Sequence, residues 1–341
     1  MTCPQADQET PEEQMAQMLG GYRTTQMLYV AAKLGIADEL ANGPKSVEHL
    51  ATVTNSHQGA LFRLLRALAS LRVFAERADG TFELTPLAGT LRSDVSNSQR
   101  PFALSYGEPW WWNSFGELLH SIKTGETGFG RVYGMSLFEY LNKHPEAART
   151  FNANMTAMTD SEAVAVAAAY DFSGVKVLID IGGGHGALVS AILHHQPQVR
   201  AVIFDQPSVI DGAPAMLDRF GIRARTDLSP GDFFVSVPSG GDIYTLKDIL
   251  HDWDDARSTT ILRNIRRAMN ENARLLIVER VIPPGNEPFV GKHVDITMLV
   301  HTGGMERTEV EYRRLLEEAG LKLNRVVPMI TGASVVEAIP I

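Results

Sequence analysis

The chain has 341 residues, 44% of them hydrophobic and 21% charged, with 31 basic against 40 acidic side chains and a formal net charge of −9. This composition excludes a wholly disordered chain, and the acidic balance argues against a protein built mainly to grip nucleic acid or an anionic membrane. No run approaches the roughly 18 unbroken apolar residues of a membrane span, and a single cysteine, Cys3, can form neither an internal disulfide nor a cysteine-cluster metal site.

The length predicts two domains, or one large domain with an extension. Residues 1–13 read as a loose, acidic tail without the basic start and apolar run of a secretory signal, so a cytoplasmic protein is expected. From Glu12 the pattern is helical: Met15, Met18, Leu19, Tyr22 and Gln26 open a stripe of period 3.6 that continues to Leu34. Ser46 is placed to cap a short helix, and residues 60–68 continue an amphipathic one that follows Ser56. Residues 73–76, a turn at Asp79 and Gly80, and residues 81–84 read as a small hairpin. Helices followed by a hairpin outline a winged-helix-like module. Residues 33–91 hold six basic and six acidic side chains, whereas a DNA reader carries a basic surplus, so a packing or dimerisation module is the better reading.

Residues 101–171 are helical again and rich in large side chains, among them Trp110, Trp111, Trp112, Phe151, Met155 and Met158. Three consecutive tryptophans cannot share one helix face, so at least one must look toward a pocket, a partner or solvent. At residue 175 the texture changes. Short apolar runs at 177–181, 201–205, 242–246 and 274–279 alternate with helical segments, the pattern of an α/β doubly wound parallel sheet. A helix at 309–319, capped by Thr308 and Glu311, precedes two last strands near 321–327 and 335–339.

In such sheets ligands sit off the carboxyl ends of the strands. Those ends hold residues 182–186 (GGGHG), Asp205, Gly231 to Phe234 near a poorly defined third strand, Lys247 and Glu279. The glycine loop alone is ambiguous. Gly182, Gly184 and Ala187 fit a dinucleotide pattern with Asp205 as the acidic ribose partner, which keeps an NAD(P)-dependent oxidoreductase open. Asp180 with the same glycines also fits D-x-G-x-G-x-G, where close-approach glycines accommodate the amino-acid part of S-adenosylmethionine. The stretch LKDILHDWDD then places His251 just past the run at 242–246, with Glu279 and Glu306 available to orient it, the arrangement of a general base.

With these residues the chain resembles the class I, S-adenosylmethionine-dependent small-molecule O-methyltransferases, the family of the plant caffeic-acid and hydroxyindole enzymes, whose bacterial branch acts on antibiotics and aromatic polyketides. YGMSLFEY, FNANM, IGGGHG, FDQP, GDFF, LKDILHDW, IVERVIP and GGMERT carry the resemblance over nearly the whole chain. It implies a Rossmann-like sheet behind an N-terminal helical, winged-helix-like dimerisation domain. The expected domains are 12–100 for dimerisation and 101–341 for catalysis, the latter divided into a helical acceptor-binding part (101–172) and a cofactor-binding part (173–341). It further implies that Gly182 and Gly184 lie against the methionine part of the cofactor, Asp205 binds the ribose, Asp232 and Phe233 hold the adenine, and Lys247 lines the site. His251 would be the base, positioned by Glu279 and Glu306, with Asp252 beside it. Phe151, Met155 and Met158 would clamp a small aromatic acceptor, with Trp111 as a further wall. A metal-independent homodimer of secondary metabolism, with no nucleic-acid or membrane partner, completes the expectation. A family member that binds the same cofactor for hydroxylation, decarboxylation or N-methylation remains the alternative.

Overall fold

The computed structural model describes residues 9–341; the loose-tail reading of residues 1–8, Cys3 among them, lies outside these. The described chain divides into two compact units. One runs to Trp112 and includes Arg149–Ala157; the other holds Asn113–Ala148 and Met158–Ile341.

In the first unit the leading helix spans Pro11–Lys33, so residues 11–13 are helical rather than tail. The cause is a reciprocal capping box: Thr10 Oγ1 accepts the Glu13 N–H (3.2 Å) and Glu13 Oε2 accepts the Thr10 N–H (2.9 Å), with proline in the first turn. The stripe expected on this helix is present, but Met15, Met18, Leu19 and Tyr22 remain 57–77% exposed. Ser46 caps the helix Val47–Val53 through the His49 N–H (3.2 Å). The next helix is Gln58–Ser70, capped by His57, whose ring accepts the Ala60 N–H. The expected hairpin forms from β2 (Phe74–Glu76) and β3 (Thr81–Leu84), and β1 (Lys45–Ser46) adds a third antiparallel strand in the order β1-β3-β2. Leu61, Leu65 and Leu68 pack with Phe74, Phe82, Ile36 and Leu50 into the core of this unit.

The tryptophan run resolves as its spacing requires. Trp110 is buried, with its ring edge-on to Trp111 (5.6 Å) and to Phe151 (6.4 Å), while Trp111 is half-buried and tilted against Tyr106 (5.3 Å).

The second unit is built on seven strands: β4 (Val177–Ile181), β5 (Arg200–Asp205), β6 (Thr226–Pro230), β7 (Ile243–Lys247), β8 (Arg274–Glu279), β9 (Leu321–Pro328) and β10 (Ser334–Pro340). Their order is β6-β5-β4-β7-β8-β10-β9; the first five are parallel and the last two antiparallel. The third parallel strand ends at Pro230, directly before the segment Gly231 to Phe234 expected near its end; its sequence, TDLSP, is polar and lies at the sheet edge, so no apolar run marks it. Successive residues of the inner strands serve opposite faces. Leu178, Leu276 and Val335 pack with Val189 and Ile192, and Ile179, Ile277 and Val336 pack with Ile261, Leu262 and Leu315. Strand order reverses between β4 and β7, which opens the ligand crevice at their carboxyl ends.

Candidate active site

At the exit of β4, Gly182 and Gly184 take φ of +70° and +56°, a region glycine enters without steric cost. A Cβ on Gly182 would also meet Cδ1 of Ile249, which follows β7, so any larger residue there would have to displace that side chain. At Gly184 the position of a Cβ faces open space. Asp205, at the end of β5, accepts the N–H groups of Gly184 (2.9 Å) and Gln206 (2.6 Å). Burial raises its pKa and these N–H groups oppose the rise. Asp180 inside β4 accepts the Thr245 hydroxyl (2.6 Å). Burial, reinforced by the charge of Asp205, pushes it up to about 7 against that hydrogen bond and Lys247. Two costly carboxylates beneath a glycine turn with open space beside it fit a ligand that brings positive charge and vicinal hydroxyls. Asp232 and Phe233 follow β6; Asp232 accepts the Phe234 N–H (2.8 Å), and the Phe233 ring lies edge-on to Phe234 (4.9 Å) and Trp253 (6.3 Å).

Lys247 reaches the same edge, but its ammonium is held in a buried cluster. It pairs with Glu162 (2.8 Å) and with Asp248, while Arg280 pairs with Glu162 (2.8 Å) and lies 3.6 Å from Asp248. Burial works against the Lys247 charge, yet Asp248 and Glu162 outweigh it and raise its pKa. Burial likewise opposes the Asp248 carboxylate, and Lys247, His251 and Arg280 hold it down to about 2. The backbone of Asp248 sits at φ +53°, in the left-handed region that non-glycine residues rarely visit. Glu162, Asp248 and Arg280 were not singled out in the sequence, because their partners are remote along the chain.

His251 sits on a single 3-10 turn, Leu250–Asp252, that continues from β7. Its Nδ1 donates to Glu306 Oε1 (2.9 Å), and both side chains are buried. Glu306 is itself fixed by its backbone N–H, which donates to Asp295 on the helix Gly291–His301 (2.9 Å). This leaves Nε2 as the outward nitrogen, 3.9 Å from Asp252 Oδ1. Burial alone would depress the ring's pKa; Glu306 above all, then Asp252 and Asp248, outweigh it and hold it up to about 10. Asp252 is pushed up to about 7 by burial and its acidic neighbours, against the pull of His251.

Glu279 does not meet the ring. Its Oε1 gathers the N–H groups of Ile249 (3.0 Å), Leu250 (2.6 Å) and His251 (3.2 Å), and its Oε2 accepts the Tyr312 hydroxyl. It therefore holds the backbone of the turn that carries His251, whereas Glu306 holds the imidazole. Trp111, Phe151 and Met155 belong to the first unit, Met158 to the second; the last three occupy one face of the helix Pro145–Ala169 at helical spacing. Among the described residues no cluster of three or more His, Cys, Asp or Glu has a metal-holding geometry, and no helix is long and apolar enough to cross a membrane.

Comparison with known proteins agrees with this architecture. Residues 115–322 match the family model of the O-methyltransferase domain, and residues 16–94 match that of the O-methyltransferase dimerisation domain. The chain is 50% identical, over 96% of its own length and 96% of the relative's, to phenazine O-methyltransferase PhzM of Lysobacter antibioticus. It is 39% identical to the O-demethylpuromycin-O-methyltransferase of Streptomyces alboniger, over 97% of this chain and 89% of that one. The crystal structure of LaPhzM superposes with a TM-score of 0.95 at 49% identity, covering 98% of this chain and all of that one. The chain belongs to the O-methyltransferase family. It is an S-adenosylmethionine-dependent methyltransferase that carries a dimerisation domain.

Proposed function

We propose that this enzyme methylates a hydroxyl group of a small aromatic molecule, with His251 as the proton acceptor. The observation that carries the reading is the buried His251–Glu306 pair, with His251 on the turn that follows β7, the strand beside β4 and its glycine loop. S-adenosylmethionine supplies a methyl group already activated by its sulfonium. Gly182 and Gly184 would admit its methionine part, Asp205 its ribose hydroxyls, and Asp232 with Phe233 its adenine; the neutral Lys247 cluster forms part of the wall. The positive charge of the donor relieves the cost of the buried carboxylates Asp180 and Asp205.

Glu306 holds the Nδ1 proton, so Nε2 presents its lone pair and takes the proton of the acceptor hydroxyl. A ring held at about 10 matches a phenol's pKa of about 10, so the transfer runs with little free-energy change. The same elevation means that most ligand-free molecules carry a protonated ring at pH 7. Phe151, Met155, Met158 and Trp111 are the candidates for holding the aromatic acceptor. The phenazine relative makes hydroxylated phenazines the first acceptors to try. The exposed stripe of Met15, Met18, Leu19 and Tyr22, inside or beside the segment matching the dimerisation domain, is read as the face a second copy covers.

Calorimetric titration with S-adenosylhomocysteine, with NADH as control, tests the cofactor reading; NADH binding in its place would overturn it. Transfer of radiolabelled methyl to a panel of hydroxyphenazines and simple phenols tests the acceptor class. His251→Ala is expected to cut turnover by about 10²–10⁴-fold, to a small residual rate, while leaving S-adenosylhomocysteine binding nearly unchanged; turnover near the wild-type level would remove His251 from the mechanism.

A further inference from the structure

We propose that Arg307 is a positioning residue for the base, acting on the backbone of the turn that carries His251; this rests on the reading of His251 as proton acceptor. A single 3-10 turn is too short to satisfy its own ends. Its N–H groups converge on Glu279 Oε1. Two carbonyls at its ends meet Arg307: Nη1 donates to Leu250 O (3.0 Å), which also accepts the Trp253 N–H (3.1 Å), and Nη2 donates to Trp253 O just past the turn (2.9 Å). Two buried charges of opposite sign thus grip the turn, the carboxylate at its N–H side and the guanidinium at its C=O side.

The rest of the guanidinium is committed to the same purpose. Nε and Nη2 donate to Asp255 Oδ1 (3.1 and 3.0 Å), and Nη2 also lies 3.3 Å from Ser258 Oγ, whose hydroxyl is within reach of the same two carbonyls (3.2 and 3.3 Å). Arg307 is wholly buried, whereas the side chain of Asp255 is 39% exposed and also pairs with Arg314. A surface ion pair does not require a buried guanidinium; the two turn carbonyls account for the burial. The position of Arg307 is fixed from the other side of the turn as well. It forms a bridge with Val281, two residues beyond Glu279, and the Ile282 N–H donates to its carbonyl (2.9 Å). Neighbouring residues of one segment therefore divide the work: Glu306 holds the imidazole, and Arg307 holds the turn beneath it.

The test compares wild type, Arg307→Lys, His251→Ala and the double variant, with a hydroxyphenazine as acceptor and S-adenosylhomocysteine as binding probe. Lysine keeps the charge but cannot span both carbonyls and Asp255. Arg307→Lys is expected to lower kcat by about 10- to 100-fold, the scale of a misplacement near 1 Å, with KM and S-adenosylhomocysteine affinity within about twofold. The loss should vanish in the His251→Ala background, where there is no base left to position. A general packing role would slow both backgrounds alike and would overturn the proposal, as would a folded Arg307→Lys enzyme with wild-type kcat. Should Arg307→Lys not fold, Asp255→Asn loosens the guanidinium from its exposed side; a smaller kcat loss absent from the His251→Ala background supports the proposal, and unchanged kcat overturns it. High turnover by His251→Ala itself overturns both this inference and the base, whereas an inactive His251→Ala beside a fully active Arg307→Lys overturns the inference alone.

Discussion

Replacing Glu306 by glutamine keeps the size of the side chain and removes its charge. With Glu306 neutral, burial of His251 is opposed only by the weaker pull of Asp252, Asp248 and Glu279, and the ring should fall from about 10 toward its ordinary 6.5. That corresponds to the loss of roughly 5 kcal/mol of imidazolium stabilisation. In the wild type the ring must lose a proton before it can act, so log kcat/KM for the acceptor should climb with about unit slope from neutral pH upward. In the variant the ring is already neutral above pH 7 and the profile should be flat. The ratio of wild-type to variant kcat/KM should therefore grow about tenfold per pH unit between about pH 7 and 9. Any constant loss from misorientation of the ring shifts both ends of that comparison equally and leaves its slope untouched. Steady-state rates across this range, with the ring pKa followed by NMR in the ligand-free protein, supply the assay. Parallel pH profiles for the two enzymes would refute the assignment of Glu306 as the group that sets the proton affinity of the base.

Three further expectations follow from the geometry. Gly304→Ala places a Cβ into the carbonyl of His251 and the backbone of Asp252 and Trp253; it should cut kcat by about 10²-fold or more while S-adenosylhomocysteine still binds, and a wild-type kcat would contradict the packing of this loop on the turn. Asp180 has a folded pKa of about 7 against about 3.9 unfolded, so its protonated form stabilises the ligand-free protein at acid pH and that contribution is lost as pH rises from about 4 to 7; Asp180→Asn should be the more stable protein at pH 8 by a few kcal/mol in urea melts, and an equal or lower stability there would count against the burial argument. Met18→Glu with Leu19→Glu puts charge on the exposed stripe of the leading helix; sedimentation should show dimers for the wild type and monomers for the variant, and equal masses for the two would count against this stripe as the dimer contact.

The parts of the enzyme that were legible in its sequence are those whose cause is local. The inner strands announce themselves as apolar runs because they are buried on both faces, and they end where glycine or an acid meets the ligand edge. β6 escaped definition since an edge strand can be as polar as TDLSP. The stripe on the first helix was legible as a stripe, but periodicity gives the direction of an apolar face and not whether the same chain covers it; here Met18 and Leu19 stay exposed.

At the site, the sequence singled out His251 and the two acids Glu279 and Glu306, but not the two ways in which those carboxylates hold the histidine's turn and ring. Glu279 and Glu306 look equivalent in the chain, each an acid near a strand end or loop. The structure assigns them different targets because Glu279 ends a strand adjacent to β7 and lies against backbone N–H groups, while Glu306 arrives on a separate loop at the level of the ring. The buried cluster of Glu162, Lys247, Asp248 and Arg280 shows the remaining limit. Glu162 and Arg280 are 118 residues apart, on a helix and just past a strand, so no local pattern couples them. Only the sheet brings the ends of β7 and β8 side by side, and the net neutrality of the four charges, which makes their burial tolerable, is a property of the packed arrangement rather than of any segment.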